Sequence, residues 1–458
     1  MRIGTGHRRL PARRSRATPR TPAFRPALEK LEDRCVPSTN TGAYHVTNLV
    51  SDQPGVALIQ DTNLVNGWGI SLNPAAGAFW VSANETGKAT LYRGDVSGSA
   101  FVRVSLVVTI PDGLPTGQVF NGTSDFVIGG GSAAVFIFAS QAGDITAWNS
   151  AQGTTAALMA SVPDAVYTGL AIGSVGTANF LYAANFANNS IDVFNKDFSL
   201  QSAESFPFSD PNLPPNYSPF NIQNLGGKLY VAYAQQDHAN PDEETDHGAG
   251  FVDVFDTSGH LLQRLVKGNH LAAPWGLAIA PSDFGPFSNA LLVGNFGNGH
   301  INAFDVGTGK FLGKLRDETG KPIVIDGLWG ITFGNGVSAG DKNALYFAAG
   351  PDDETHGLFG SVRFVNDSAS AASIDATAVN ALFASAAPNV PPDAPATTSK
   401  PASAPVRSSG GPSAAGPSLS SFPPLSHASD RALEQVLETL FAEEAFPPIG
   451  GLRNGMGR

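Results

Sequence analysis

Cysteine is nearly absent from this sequence: Cys35 is the only one in 458 residues. An internal disulfide and a cysteine-based metal centre are therefore excluded. Charge is also sparse, with 15% Asp, Glu, Lys and Arg together. No run of about 18 apolar residues exists, so no membrane-spanning helix is expected. The sequence has no Gly-x-Ser-x-Gly elbow, no phosphate-binding P-loop and no HExxH helix motif. Its glycine-rich turns lie between β-prone runs rather than at the start of a helix, which argues against dinucleotide binding.

Turn formers are plentiful, with Gly 51 and Pro 33. That composition suits many short strands joined by turns. The formal net charge is -11 and it is unevenly spread. Ten Lys/Arg against three acids up to Arg34 give +7, so the remainder carries -18. An acidic body disfavours nucleic acid and anionic lipid as partners.

Self-similar units follow one another from residue 44. Their openings read NGWGISLNP at Asn66, PTGQVFNG at Pro115, YTGLAIGS at Tyr167, SPFNIQNLGG at Ser218, APWGLAIAP at Ala273 and DGLWGITFGN at Asp326. Each opening leads into a second and third β-prone run, as in ALLVGNFGNGHINAFD, where a Gly/Asn turn marks a hairpin. Gly69, Gly117, Gly169, Phe220, Gly276 and Gly330 recur roughly every fifty residues, the size of one propeller blade. Runs such as FVRVSLVVTI and HLLQRLV supply a fourth strand. The expected fold is all-β: a six-bladed β-propeller with four-stranded blades over residues 44–365. The sixth unit has only three strands, and YHVTNLVS stands alone ahead of the first. Residues 44–51 are therefore expected to close the ring as the outer strand of blade six.

The flanks read differently. Residues 1–43 form a basic, aperiodic arm expected to be disordered, and no apolar secretory h-region follows its arginines. Residues 366–428 are an Ala/Ser/Pro-rich linker. Residues 429–447 place Leu433, Val436, Leu437, Leu440 and Phe441 on one helical face, which predicts a short amphipathic helix in the tail.

Several long strings resemble an uncharacterised bacterial family of propeller-like proteins. They are NLVSDQPGVALIQDTNLVNGWGIS, GFVDVFDTSGHLLQRLV, APWGLAIAPSDFGPFSNALLVGNFGNGHINAFD and AAGPDDETHGLFGS. The resemblance implies a propeller and brings no activity with it. More distantly, the GLAI…LYAAN…IDVFN rhythm is similar to NHL-repeat and gluconolactonase-like propellers. The string LEKLEDRCVPS over residues 28–38 resembles an N-terminal LExLEDRxVP tag of exported bacterial proteins. It implies an exported, cell-surface or extracellular location.

Alternate turns of an antiparallel meander emerge on the same face. Trp68, Trp275, Trp329, Asn221 and Asp326 are thus expected at one channel mouth, with Asn185, Asn295, Asp237 and Asp352 beside them. The first five are candidate ligand-binding residues. The other four are candidate metal ligands, since converging oxygens suit a hard cation such as Ca²⁺. Residues 235–250, QQDHANPDEETDHGAG, concentrate acids with His238 and His247, and PDDETHG repeats the theme in unit six. Neither has the spacing of an EF-hand or zinc motif. The Trp-Gly pairs can equally be interblade packing, and the asparagines can be turn formers. The resulting expectation is a monomeric binding or scaffold module for a small molecule, sugar or protein. The alternative is a metal-dependent lactonase or lyase with its site at the channel mouth.

Overall fold

The structure, a computed structural model, describes residues 42–236, 250–268 and 270–366. The basic arm up to residue 41, residues 237–249 of the acidic insertion, Asp237 among them, the linker from residue 367 and the tail helix lie outside the described residues.

Six antiparallel sheets follow one another along the chain. Their inner strands are Gly67–Ser71, Pro115–Phe120, Tyr167–Val175, Tyr217–Leu225, Pro274–Ile279 and Leu328–Phe333. Each opens one of the six repeated units, so the fifty-residue period is the blade period. The fold is the expected six-bladed propeller. Blade three is the thinnest: its sheet has three ordered strands. Its outer position is held by one bridge between Phe194 and Leu200 and by the Gln201 N–H donating to Val193 O at 2.8 Å. The chain beyond, FPFSDPNLPPN, is too rich in proline to donate along a ladder. Phe206 and Phe208 from that stretch pack under blades three and four instead.

The ring closes as the sequence predicts. Ala43–Ser51 pairs antiparallel with Leu358–Val365, placing Tyr44 opposite Phe364 and Val46 opposite Val362. Ile59–Gln60 adds a short parallel strand outside it. Tyr44 also bolts this strand to blade five. Its hydroxyl donates to Phe284 O at 2.8 Å, and its ring packs on Phe284, Phe287 and Phe364.

The apolar core is distributed as layers between neighbouring blades, because each strand turns alternate residues to opposite sheet faces. In blade four, Val231, Tyr233 and Phe255 face blade three, while Tyr230, Ala232, Val252 and Val254 face blade five. The repeated glycines mark where inner strands approach most closely. A Cβ on Gly117 would lie 2.2 Å from Leu170 N in blade three. One on Gly330 would lie 2.4 Å from Trp68 O in blade one. Gly69, Gly169 and Gly276 make the same approach to blades two, four and six. In blade four the structure places Asn221 at this position rather than Phe220, which the fifty-residue period suggests; the Asn221 amide bridges the gap by donating to Trp275 O at 2.7 Å.

Candidate functional site

Every inner strand carries an irregularity at the same point. The register with the second strand shifts across Gly67/Ile70, Pro115/Gln118, Tyr167/Gly169, Pro219/Asn221, Pro274/Gly276 and Leu328/Ile331. A bulge turns a side chain out of the pleat's alternation. The residues at these six bulges are Trp68, Thr116, Thr168, Phe220, Trp275 and Trp329.

Four of the six are large aromatics, and they meet. Trp329 stacks on Trp68 with ring centroids 3.6 Å apart and on Phe296 at 4.0 Å. Trp275 stands edge-on to both, 6.2 Å from Trp68 and 6.0 Å from Trp329. Phe220 joins at 5.6 Å from Trp329, and Phe186 leans on Phe220 at 5.1 Å. Each tryptophan is only 2% exposed. The three tryptophans named from sequence are therefore brought together, with their faces covered by one another.

Their polar atoms are mostly committed. The Trp275 indole N–H donates to Thr168 O at 3.0 Å, from blade five to blade three. The Trp329 indole N–H donates to Asn66 Oδ1 at 3.0 Å. Trp68 Nε1 and Asn221 Oδ1 are buried with no hydrogen-bond partner among the described residues.

Above this plug lies the corner between blades six and one. Asn66 passes the contact on, its Nδ2 donating to Glu354 Oε2 at 2.7 Å. Asp326 and Asp352 adjoin, the Asp352 N–H donating to Asp326 Oδ2 at 2.9 Å. Asp352, Asp353 and Glu354 have φ of 55, 52 and 65°, three consecutive non-glycine residues in the left-handed region. The turn is pinned on its far side by Asp52, which accepts from Gly357 N at 2.8 Å and meets His356 Nδ1 at 2.9 Å. The carboxylates of Asp326, Asp352 and Asp353 remain on exposed residues.

Asn185 and Asn295 are buried, and their side chains close turns. Asn185 Oδ1 accepts from Val166 N and Asn188 N, both at 3.3 Å, while Nδ2 donates to Asp192 Oδ2 at 2.9 Å. Asn295 Oδ1 accepts from Ala272 N at 3.1 Å, and Nδ2 donates to His270 O at 3.3 Å. Among the described residues no group of three or more His, Cys, Asp or Glu is placed to hold a metal ion. No described helix is long and apolar enough to cross a membrane.

One charged cluster escaped the sequence reading. Asp253 sits on the third strand of blade four with no exposed surface, and neither carboxyl oxygen has a hydrogen-bond partner among the described residues. Arg264, opposite it in register, keeps Nε at 3.7 Å and gives its other nitrogen to Asp210 from the proline-rich crossing. Burial pushes the Asp253 carboxyl up to about 8, with the Asp210 charge adding to the shift and Arg264 opposing it. The signal was present in GFVDVFD. Alternation puts Asp253 on the same face as Phe251 and Phe255, where an ionised group is costly.

Comparison with known proteins adds relatives without chemistry. No family model matches the chain. It is 30% identical over 335 residues to the uncharacterised protein R648 of Acanthamoeba polyphaga mimivirus, spanning 70% of this chain and 80% of that one. To the uncharacterised protein L690 of the same virus it is 31% identical over 342 residues, 71% of this chain and 87% of that one. Among solved structures it is similar to a chain of a nidogen/laminin complex, with 11% identity and a TM-score of 0.35 over 61% of this chain and 87% of that one.

Proposed function

The chain belongs to the family of the mimivirus proteins R648 and L690, and on that footing we propose that it is a binding module: a closed, rigid propeller that holds its ligand at the tryptophan-side mouth. The observation that carries this reading is the left-handed run Asp352–Asp353–Glu354. Such residues cost of order 1–3 kcal/mol each and persist only where their surroundings over-determine them, which is characteristic of recognition sites. Here Asn66, Asp326 and Asp52 hold the turn, and Asn66 is itself held by Trp329. The plug beneath makes that corner rigid, and a rigid scaffold bearing a polar loop is the usual seat of recognition.

The ligand class that suits exposed Asp326, Asp352 and Asp353 is a cationic group on a polypeptide partner. The acidic body would draw it in from solution. An exported or surface location is the setting we attach to this reading, supported by the LEKLEDRCVPS string. Calorimetric titration of the full chain with a hexa-arginine peptide tests it, beside the double substitution Asp352→Asn/Asp353→Asn. The double variant is expected to bind at least about fivefold more weakly, and wild-type binding should fade as salt shortens the screening length below about 10 Å. Equal affinities for the two proteins would overturn it. Repeating the titration with Ca²⁺ distinguishes a peptide-binding corner from a cation site on the same carboxylates.

A further inference from the structure

The opposite end of the channel is built differently. Below the aromatic plug the inner strands of blades one, four, five and six surround a cavity of about 220 Å³. Trp275 closes its floor, and Ile70, Leu277, Ile331 and Phe333 form apolar walls. Gln223 lines the same space. We infer that this cavity is a binding site for a small amphiphilic organic molecule, one ring or a short chain bearing a single hydroxyl or carbonyl group.

Three observations converge on that class. The first is size. A dry cavity of roughly 150 Å³ admits benzene, whereas drug-sized ligands occupy about 300 Å³ or more. A space between those limits holds one ring and a few further atoms. The second is the lining. Ile70, Leu277, Ile331 and Phe333 reach the cavity from the apolar layers between blades. Apolar and polar atoms thus share the lining, which suits a ring that carries a polar group.

The third is the backbone. Each inner strand has a ladder partner on one side only, so its other edge faces the channel. Ala278, Gly330 and Thr332 line the cavity on these strands, whose inner edges carry no ladder partner. Unpaired N–H and C=O groups seek partners. Together with Gln223 they favour a ligand with one hydrogen-bonding group over a pure hydrocarbon. The floor is sealed because the Trp275 indole N–H is spent on Thr168 O and its ring abuts Trp68 and Trp329. The lining includes Ile279, which is 36% exposed.

The test uses 4-methylphenol and toluene with the full chain, followed by tryptophan emission and calorimetry. Saturable binding of 4-methylphenol is expected, with toluene weaker by about two- to tenfold, the worth of one neutral hydrogen bond. Gln223→Leu should erase most of that preference while leaving toluene affinity unchanged. Ile279→Trp, a change at this exposed lining residue that spares the packed walls, should block entry and weaken both ligands at least about tenfold. A crystal soaked with 4-bromophenol provides a readout independent of any variant and should show bromine between Ile331 and Gln223. Absence of saturable binding, or bromine bound elsewhere, overturns the proposal. Neither result bears on the acidic corner, whose test uses a different probe and different substitutions.

Discussion

Replacing Asp253 by asparagine should change how the stability of this protein depends on pH. In the folded state the carboxyl titrates near 8, pushed up by burial and by Asp210. In the unfolded chain it titrates in the ordinary range near 4. Between those values the folded protein keeps a proton that the unfolded chain releases. Stability from this group therefore falls as pH rises through the window, and it levels off above about 8. Each pH unit inside the window removes about 1.4 kcal/mol. From about pH 5 to about pH 7 the loss is on the order of 2–3 kcal/mol.

Asparagine has the same shape and cannot ionise, so Asp253→Asn lacks this slope. The other groups facing the carboxyl are Asp210, Arg264 and Tyr233. Tyr233 is pushed well above its usual range by burial, so it does not titrate in the window. Asp210 is present in both proteins. Urea unfolding of wild type and variant at several pH values between about 5 and 9 is the assay, with the difference in unfolding free energy as the readout. The variant is expected to gain on wild type by about 2–3 kcal/mol between pH 5 and 7, with little further gain above 8. A difference that stays constant across this range would refute a neutral buried carboxyl. It would mean that Arg264 holds Asp253 ionised.

Two further outcomes follow from the channel. Gly117→Ala should destabilise by about 3 kcal/mol or more, because its Cβ would lie 2.2 Å from Leu170 N and only backbone movement could relieve the clash. Gly129→Ala is the matched control, with its nearest neighbour 3.7 Å away, and should shift the urea midpoint negligibly. Trp275→Phe should cost more than Trp68→Phe by about 1–3 kcal/mol, since the first strands Thr168 O and the second removes a buried N–H with no partner. Equal losses in chemical denaturation would show that Trp68 Nε1 is satisfied in solution.

How much was legible in the sequence depended on whether a feature repeats. NGWGIS, APWGLA and GLWGIT announce the blade period because the same backbone problem recurs in each. The solitary YHVTNLVS could be placed by requiring the ring to have no free edge. Features made by residues from different blades left no such trace. Trp68 and Trp329 are 261 positions apart, and only a closed ring makes them stack at 3.6 Å. Their burial was hidden because a Trp-Gly pair reads alike as platform and as packing. The asparagines were ambiguous for the same reason: a buried amide oxygen suits a cation or a backbone N–H, and here Asn185 and Asn295 take the latter. Blade three's missing outer strand was readable in FPFSDPNLPPN, where proline removes the donors a ladder needs.

The two ends of the channel differ because the repeat is imperfect at one position. All six inner strands bulge there, so all six offer a side chain to the axis. Had every blade carried tryptophan, six indoles could not have packed at native density in one channel. Blades two and three carry Thr116 and Thr168 instead, whose hydroxyls turn back to main-chain oxygens at 2.7 Å on Tyr167 and 3.5 Å on Ala184. That retreat makes room for Trp275 to reach across to Thr168 O and for Trp329 to lie flat on Trp68. The plug therefore depends on the threonines as much as on the tryptophans. Two residues further along each strand the large rings give way to Ile70, Leu277 and Ile331, and the smaller side chains leave the cavity unfilled. One position's departure from sixfold symmetry thus seals the mouth beneath the acidic corner and leaves the other mouth open to a ligand.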